Sequence, residues 1–245
     1  MRDPPVGSGR RAPSGSAGAI RPKPFGATEV GRHYAELAPT YRSRANAACQ
    51  RAYADLARRT LAGSCRVLDL GAGSSDLLAE FSAPLRVACD LSLPMLTARR
   101  EPVDWGRVVC DAQALPFRDG AFDAICAVNL LEHVPEPQHL ASEVARLLAP
   151  GGRFLAVTPN GDLAGLLGLL EGLRLKLPEG PHRFLGTREL AALGGRRLRT
   201  LQHERFLALP LGPPGFVRWL DGWAAEKLGR GLFQYIVLEK RDASP

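Results

Sequence analysis

The run Val67-Leu68-Asp69-Leu70-Gly71-Ala72-Gly73-Ser74-Ser75-Asp76 restricts what this chain can fold into more than any other stretch. An apolar, strand-forming segment ends in an acid, turns through two glycines and is predicted to open a helix. Open α/β sheets hold nucleotide-type cofactors at such a turn. A dinucleotide fingerprint requires a third glycine three positions after Gly73, where helix and strand pack closely. Asp76 stands there instead. A carboxylate in a first helical turn suits the helix dipole but repels a pyrophosphate bound at the same amides. S-adenosylmethionine carries a sulfonium and an ammonium and has no phosphate, so the acids around this loop are compatible with it.

The rest of the chain supports one large cofactor-binding domain. At 245 residues it can bury most of its unfolded surface in a single core. The formal charge of +7 suggests a nucleic-acid partner until it is divided. Arg2, Arg10, Arg11, Arg21 and Lys23 against Asp3 place +4 of it in residues 1–27, leaving +3 for the remainder. No basic run is interleaved with aromatics, so a polynucleotide groove is not indicated. Cys49, Cys65, Cys89, Cys110 and Cys126 contain no Cys-x-x-Cys pair, which speaks against metal and disulfide frameworks and for a reducing, cytoplasmic setting. No segment reaches the apolar length of a membrane span.

Residues 1–27 are rich in Pro, Gly, Ser and Arg and read as a disordered tail. Residues 28–245 read as one domain. Helical spacing places Val30, Tyr34 and Leu37 on one face, and Ala48, Ala52, Leu56 and Leu61 on a second helix after Pro39. From residue 66 strands and helices alternate, with strands at 66–70, 85–89, 107–110, 122–128 and 152–158. A Leu-rich helix near 162–176, a helix near 187–194 and strands near 198–207 and 233–239 follow. Short apolar strands separated by helices predict a Rossmann-like, doubly wound sheet of about seven strands, mostly parallel with an antiparallel last strand and helices on both faces.

Polar residues recur just beyond the predicted strand ends, where such sheets bind ligands. Asp69 and Gly71-Ala72-Gly73 follow the first strand. Asp90 follows the second, where a carboxylate can accept both hydroxyls of a ribose diol. Asp111 follows the third, where it can accept from an exocyclic adenine amine while the Ala112 amide donates to a ring nitrogen. Asn129 follows the fourth. Each also has a plain reading as a turn or cap residue; their recurrence in successive units favours a nucleoside site.

The ordered segments VLDLGAGSSDLL, VACDLSLPML, CDAQALPFRDGAFDAI, NLLEHVPEP and LLAPGGRFLAVTPN resemble the successive motifs of class I S-adenosylmethionine-dependent methyltransferases. The similarity is closest to the small-molecule branch that includes quinone-biosynthesis enzymes, and it covers about residues 65–160. It implies that Asp69, Gly71 and Gly73 hold the methionine part, Asp90 the ribose, Leu91 one adenine face, Asp111 and Ala112 the adenine edge, and that Asn129 lies near the transferring methyl. The family usually has glycine where Ser75 stands, a position where serine suits a helix start. It often has aspartate where Arg42 follows Tyr41.

Methyl transfer from a sulfonium needs alignment rather than a dedicated nucleophile, with a base only where the acceptor arrives protonated. His133 is the candidate base, against a structural role at its loop-to-helix junction. Against a plain reading in which the two N-terminal helices pack on the domain edge, Tyr34 or Tyr41 closes over the cofactor, Tyr41 on the cofactor side and Tyr34 with His182 and Arg183 on the substrate side. Residues 160–186 and 206–230 carry Leu166, Leu167, Leu169, Leu170, Phe206, Leu209, Phe216, Trp219 and Trp223, which points to an apolar or amphipathic acceptor, lipid-like or carrier-bound. The expected function is methyl transfer to oxygen or carbon of a small molecule, without metal. Two alternatives remain open: a nicotinamide-dependent oxidoreductase, and a non-catalytic binding or scaffold protein on the same fold.

Overall fold

Continuous apolar runs buried on both sides produce the central strands, and turn-forming residues between them set the breaks between elements. The structure, a computed structural model, describes residues 26–44, 46–98, 101–165, 167–168, 182–206 and 231–242. The helices are α1 (Ala27–Arg44), α2 (Ala47–Thr60), α3 (Leu93–Thr97), α4 (Pro137–Leu147) and α5 (Thr187–Ala192). The strands are β1 (Arg66–Leu70), β2 (Leu85–Asp90), β3 (Gly106–Val109), β4 (Phe122–Val128), β5 (Leu148–Pro159), β6 (Leu198–Phe206) and β7 (Phe233–Lys240). They form one seven-stranded sheet in the order β3-β2-β1-β4-β5-β7-β6. Neighbours from β3 to β5 pair in parallel, and β7 runs antiparallel between β5 and β6.

Both faces of the central strands are buried, whereas the edge strands β3 and β6 stay largely exposed. Val67, Ala124, Cys126, Leu155 and Val157 pack on the α2 side, whereas Leu68, Leu70, Ile125, Ala127, Phe154 and Ala156 pack with Leu140, Val144 and Leu190 of α4 and α5. The parallel strands therefore read as nearly continuous apolar runs, as two-sided burial requires. Because the strand order reverses between β1 and β4, a crevice opens beyond the carboxyl ends of β1, β2 and β4.

Two local expectations are corrected. Pro39 does not end the first helix; it lies inside α1, which runs on to Arg44. The break comes at Asn46, whose Oδ1 accepts from the Ala48 and Cys49 amides and so starts α2. Nor does the glycine loop open an α-helix. It leads into a short 3₁₀ turn, Leu77–Glu80, at whose start Asp76 makes no side-chain cap. Phe81 returns to extended backbone, so the helix-dipole argument for Asp76 does not apply here. The expected helix at 162–176 starts as a 3₁₀ turn, Gly161–Leu163, and beyond 165 only residues 167–168 of it are described. The rest of it and most of the 206–230 segment fall outside the described residues, as do Leu166, Leu169, Leu170, Leu209, Phe216, Trp219 and Trp223.

Candidate active site

The loop after β1 is shaped by backbone geometry that only glycine adopts easily. Gly71 and Gly73 have φ of +66° and +51°. A Cβ on Gly71 would lie 2.8 Å from Leu130 Cδ1, and one on Gly73 would lie 2.9 Å from Met95 Cε. The glycines therefore allow both the left-handed turn and a close approach of neighbouring side chains. The Ala72 amide donates to Cys89 O, Gly73 N to Asp90 Oδ2, Ser75 N to Ala72 O, and Leu77 N to Ser75 Oγ. With these donors taken up inside the loop, it is poorly equipped to cradle a pyrophosphate. Ser75 starts the 3₁₀ turn, as a serine at this position should.

Two acids lie beneath the loop. Asp69 is 3% exposed, and its Oδ1 accepts from the Cys126 thiol at 3.5 Å. Burial raises its pKa to about 7, and the nearby Asp90 adds to the rise. Burial raises the Asp90 carboxyl as well, opposed by the amides that hold it. Its Oδ2 binds the Gly73 amide at 2.9 Å and its Oδ1 binds the Ser92 amide at 2.8 Å. Each oxygen keeps a further lone pair for a ligand hydroxyl. Asp111 Oδ1 accepts from the Gln113 amide at 2.8 Å in a local turn, which leaves its second oxygen available.

One cavity of about 510 Å³ gathers Asp69, Gly71, Ala72, Gly73, Asp90, Leu91, Asp111, Ala112, Asn129, Tyr34, Tyr41 and His133. Its size is that of a small-molecule site. His182 and Arg183 do not line it. His182 reaches it only through His133, with ring centroids 6.2 Å apart, and packs on Phe184. The Arg183 guanidinium pairs with Glu189, while its amide holds Glu132 O.

Asn129 is the only described non-glycine residue at positive φ, +51°. Its amide N–H bonds Val157 O, its Nδ2 donates to Tyr53 Oη at 3.3 Å, and its buried Oδ1 has no partner. Backbone strain and an unsatisfied polar atom at one residue beside a cavity are typical of functional positions. Tyr34 Oη lies 2.8 Å from His133 Nε2, so α1 and the loop after β4 meet above the cavity. Tyr53 and Arg51 of α2 and Arg42 of α1 also line it, and the sequence reading assigned none of them to the site. A helix whose polar side chains face a cavity looks, in sequence, like one whose polar side chains face water. Arg42 holds Asp76 with both prongs, at 3.0 and 2.6 Å. The acid that would repel phosphate is thus already matched by a cation.

A left-handed glycine loop, acids at successive strand ends and a seven-stranded sheet with a reversed β7 define a class I S-adenosylmethionine-binding domain. The donor set fits that cofactor: buried carboxylates for its cations, Asp90 for a diol, and Asp111 with Ala112 for a purine edge. Residues 68–156 match the family model described as "Methyltransferase domain". The chain is 34% identical over 153 residues to ubiquinone biosynthesis O-methyltransferase of Xylella fastidiosa, covering 56% of this chain and 61% of that protein. It thus spans about three fifths of that relative's length. It is 30% identical over 163 residues to demethylmenaquinone methyltransferase of Corynebacterium glutamicum, covering 64% of this chain and 69% of the other. Its fold is also that of the [4+2]-cyclase SpnF, with a TM-score of 0.67 at 19% identity over 91% of this chain and 99% of that one. The chain belongs to the S-adenosylmethionine-dependent methyltransferase family, in the branch that contains quinone-biosynthesis enzymes. The nicotinamide alternative is set aside by that membership. No described helix is long and apolar enough to cross a membrane.

Proposed function

We propose that this protein transfers a methyl group from S-adenosylmethionine to oxygen or carbon of a small apolar or amphipathic acceptor. The observation that carries the reading is the single cavity in which the glycine loop, Asp90, Asp111, Asn129 and the Tyr34–His133 pair meet. The cofactor supplies an activated methyl when bound. The residues of this chain then bind, orient and exclude water. Asp90 accepts the ribose hydroxyls, Leu91 covers one adenine face, Asp111 and Ala112 bind the adenine edge, and Asp69 faces the cationic end. His133, hydrogen-bonded to Tyr34, receives the proton of a hydroxyl acceptor, which no unassisted displacement removes at neutral pH.

The cavity wall includes Tyr53, which makes T-shaped contacts with Phe206 and Phe233 of the core, the latter two tilted against each other, with centroids 5.8 to 6.3 Å apart. The relatives' names carry ubiquinone and menaquinone pathways, and an acceptor of quinone-precursor type suits such a wall. Incubation with methyl-labelled S-adenosylmethionine and a panel of phenolic and strongly polar acceptors tests this. Label is expected in the phenolic, apolar compounds; turnover of polar acceptors alone refutes the assignment.

A further inference from the structure

Helix α1 roofs the cavity with Ala27, Val30, Gly31, Tyr34, Tyr41 and Arg42; the Tyr34–His133 hydrogen bond holds it partway along, but few of its side chains are buried. Of its described side chains only Val30 and Ala38 are buried, an unusually small apolar anchor for an 18-residue helix. Gly31 lies over Leu91, where a Cβ would sit 3.8 Å from Leu91 Cβ, so the roof rests directly on the predicted adenine face. Pro39 removes one backbone donor from its middle. An element with little apolar burial and a proline in its length opens more easily than the sheet beneath it.

What ties its carboxyl-terminal end is polar. Arg42 grips Asp76 through two hydrogen bonds and also donates to Ser74 O at 3.3 Å, so one guanidinium joins the roof to the glycine loop. The two side chains are 43% and 46% exposed, open to solvent and to salt. The family resemblance led to an acid after Tyr41 and a glycine at 75; this chain has a cation at the first place and a serine at the second, next to Asp76.

From this we infer that α1 is a movable cover over the cofactor cavity and that Arg42–Asp76 is its latch, setting how fast cofactor enters and leaves. The inference rests on the reading that the cavity takes S-adenosylmethionine. Because the latch closes the site whether or not it is filled, loosening it speeds entry and exit together and leaves affinity nearly constant.

The test is surface plasmon resonance of S-adenosylhomocysteine on the immobilised full chain, for the wild type, Arg42→Gln, Asp76→Asn and the charge-swapped Arg42→Asp/Asp76→Arg protein. Both rate constants are expected to rise about three- to fivefold in each single variant, the scale of one exposed ion pair, with Kd changed less than twofold. The swapped protein returns toward wild-type rates. Raising salt from 0.05 to 0.5 M speeds exchange in the wild type and not in the single variants. Unchanged rates overturn the latch, and so does a rise in dissociation alone, which marks a distorted loop instead. Wild-type protein that binds no S-adenosylhomocysteine at all removes the cofactor reading first, and the latch with it.

Discussion

Tyr34 Oη and His133 Nε2 share a hydrogen bond of 2.8 Å across 99 positions of sequence. It brings the first helix and the loop after β4 together at the wall of one cavity, and it leaves His133 only 6% exposed. A histidine so placed faces the cavity and is shielded from bulk water.

If His133 takes the acceptor proton, His133→Gln should lower turnover of hydroxyl acceptors by about 10²- to 10⁴-fold while cofactor affinity stays within a few-fold. Tyr34→Phe should cost about 1 kcal/mol of stability, read as a lower Tm. Full turnover in His133→Gln would reduce the histidine to a structural role.

Asp90 both holds the Gly73 amide and lines the cavity. Asp90→Ala should weaken S-adenosylmethionine binding by about 1.5–3 kcal/mol, the worth of hydrogen bonds to a charged group. Calorimetric titration of wild type and variant measures it. Equal affinities would remove Asp90 from the site.

Asp69 gives a pH signature. Its carboxyl titrates near 7 in the folded chain against an ordinary value of 3.8, so the native state holds a proton that the unfolded state has lost between those values. Stability contributed by this group is therefore complete below about pH 4, falls as pH rises through 7, and stays low above. Asp69→Asn should remove the cost of burying the charge, raising stability at pH 8 by about 4 kcal/mol, the equivalent of a shift from 3.8 to about 7, with little effect at pH 4. The same variant should weaken binding of the cationic cofactor. Denaturant melts at the two pH values check the first part, and a gain equal at both would contradict it.

The glycines differ in what they require. Gly63 and Gly71 both have positive φ, +79° and +66°, but only Gly71 has a neighbour where its Cβ would go. Alanine at 63 should cost only backbone strain, about 1 kcal/mol. Alanine at 71 should cost more, and it should also shrink the cavity through Leu130. Comparing the two melting curves separates strain from crowding.

Much of this was legible in sequence, for a physical reason. Two-sided burial leaves parallel strands as uninterrupted apolar runs, so β1 and β4 fall at the expected residues 66–70 and 122–128. The strand-end residues Asp69, Asp90, Asp111 and Asn129 follow from those ends. What depends on contacts distant in sequence was not legible. Arg42 looked like a departure from a family pattern, and Asp76 like a helix-dipole residue; only folding reveals that they bind each other. Tyr53 was not singled out within its helix, because its partner Asn129 lies 76 positions away. Asparagine tolerates the left-handed backbone that Asn129 adopts, but the residue type alone does not show that it is used there. The glycine loop promised a helix because glycine turns commonly lead into one, whereas the chain returns to β2 after a single 3₁₀ turn.

The central claim is that the cavity beyond β1, β2 and β4 is built for S-adenosylmethionine. Calorimetric titration of the full chain with S-adenosylmethionine, and separately with NADH, tests it most directly. Saturable one-to-one binding of S-adenosylmethionine, weakened at least tenfold in Asp90→Ala, with no heat from NADH, is the predicted result. Binding of NADH with none of S-adenosylmethionine would contradict it.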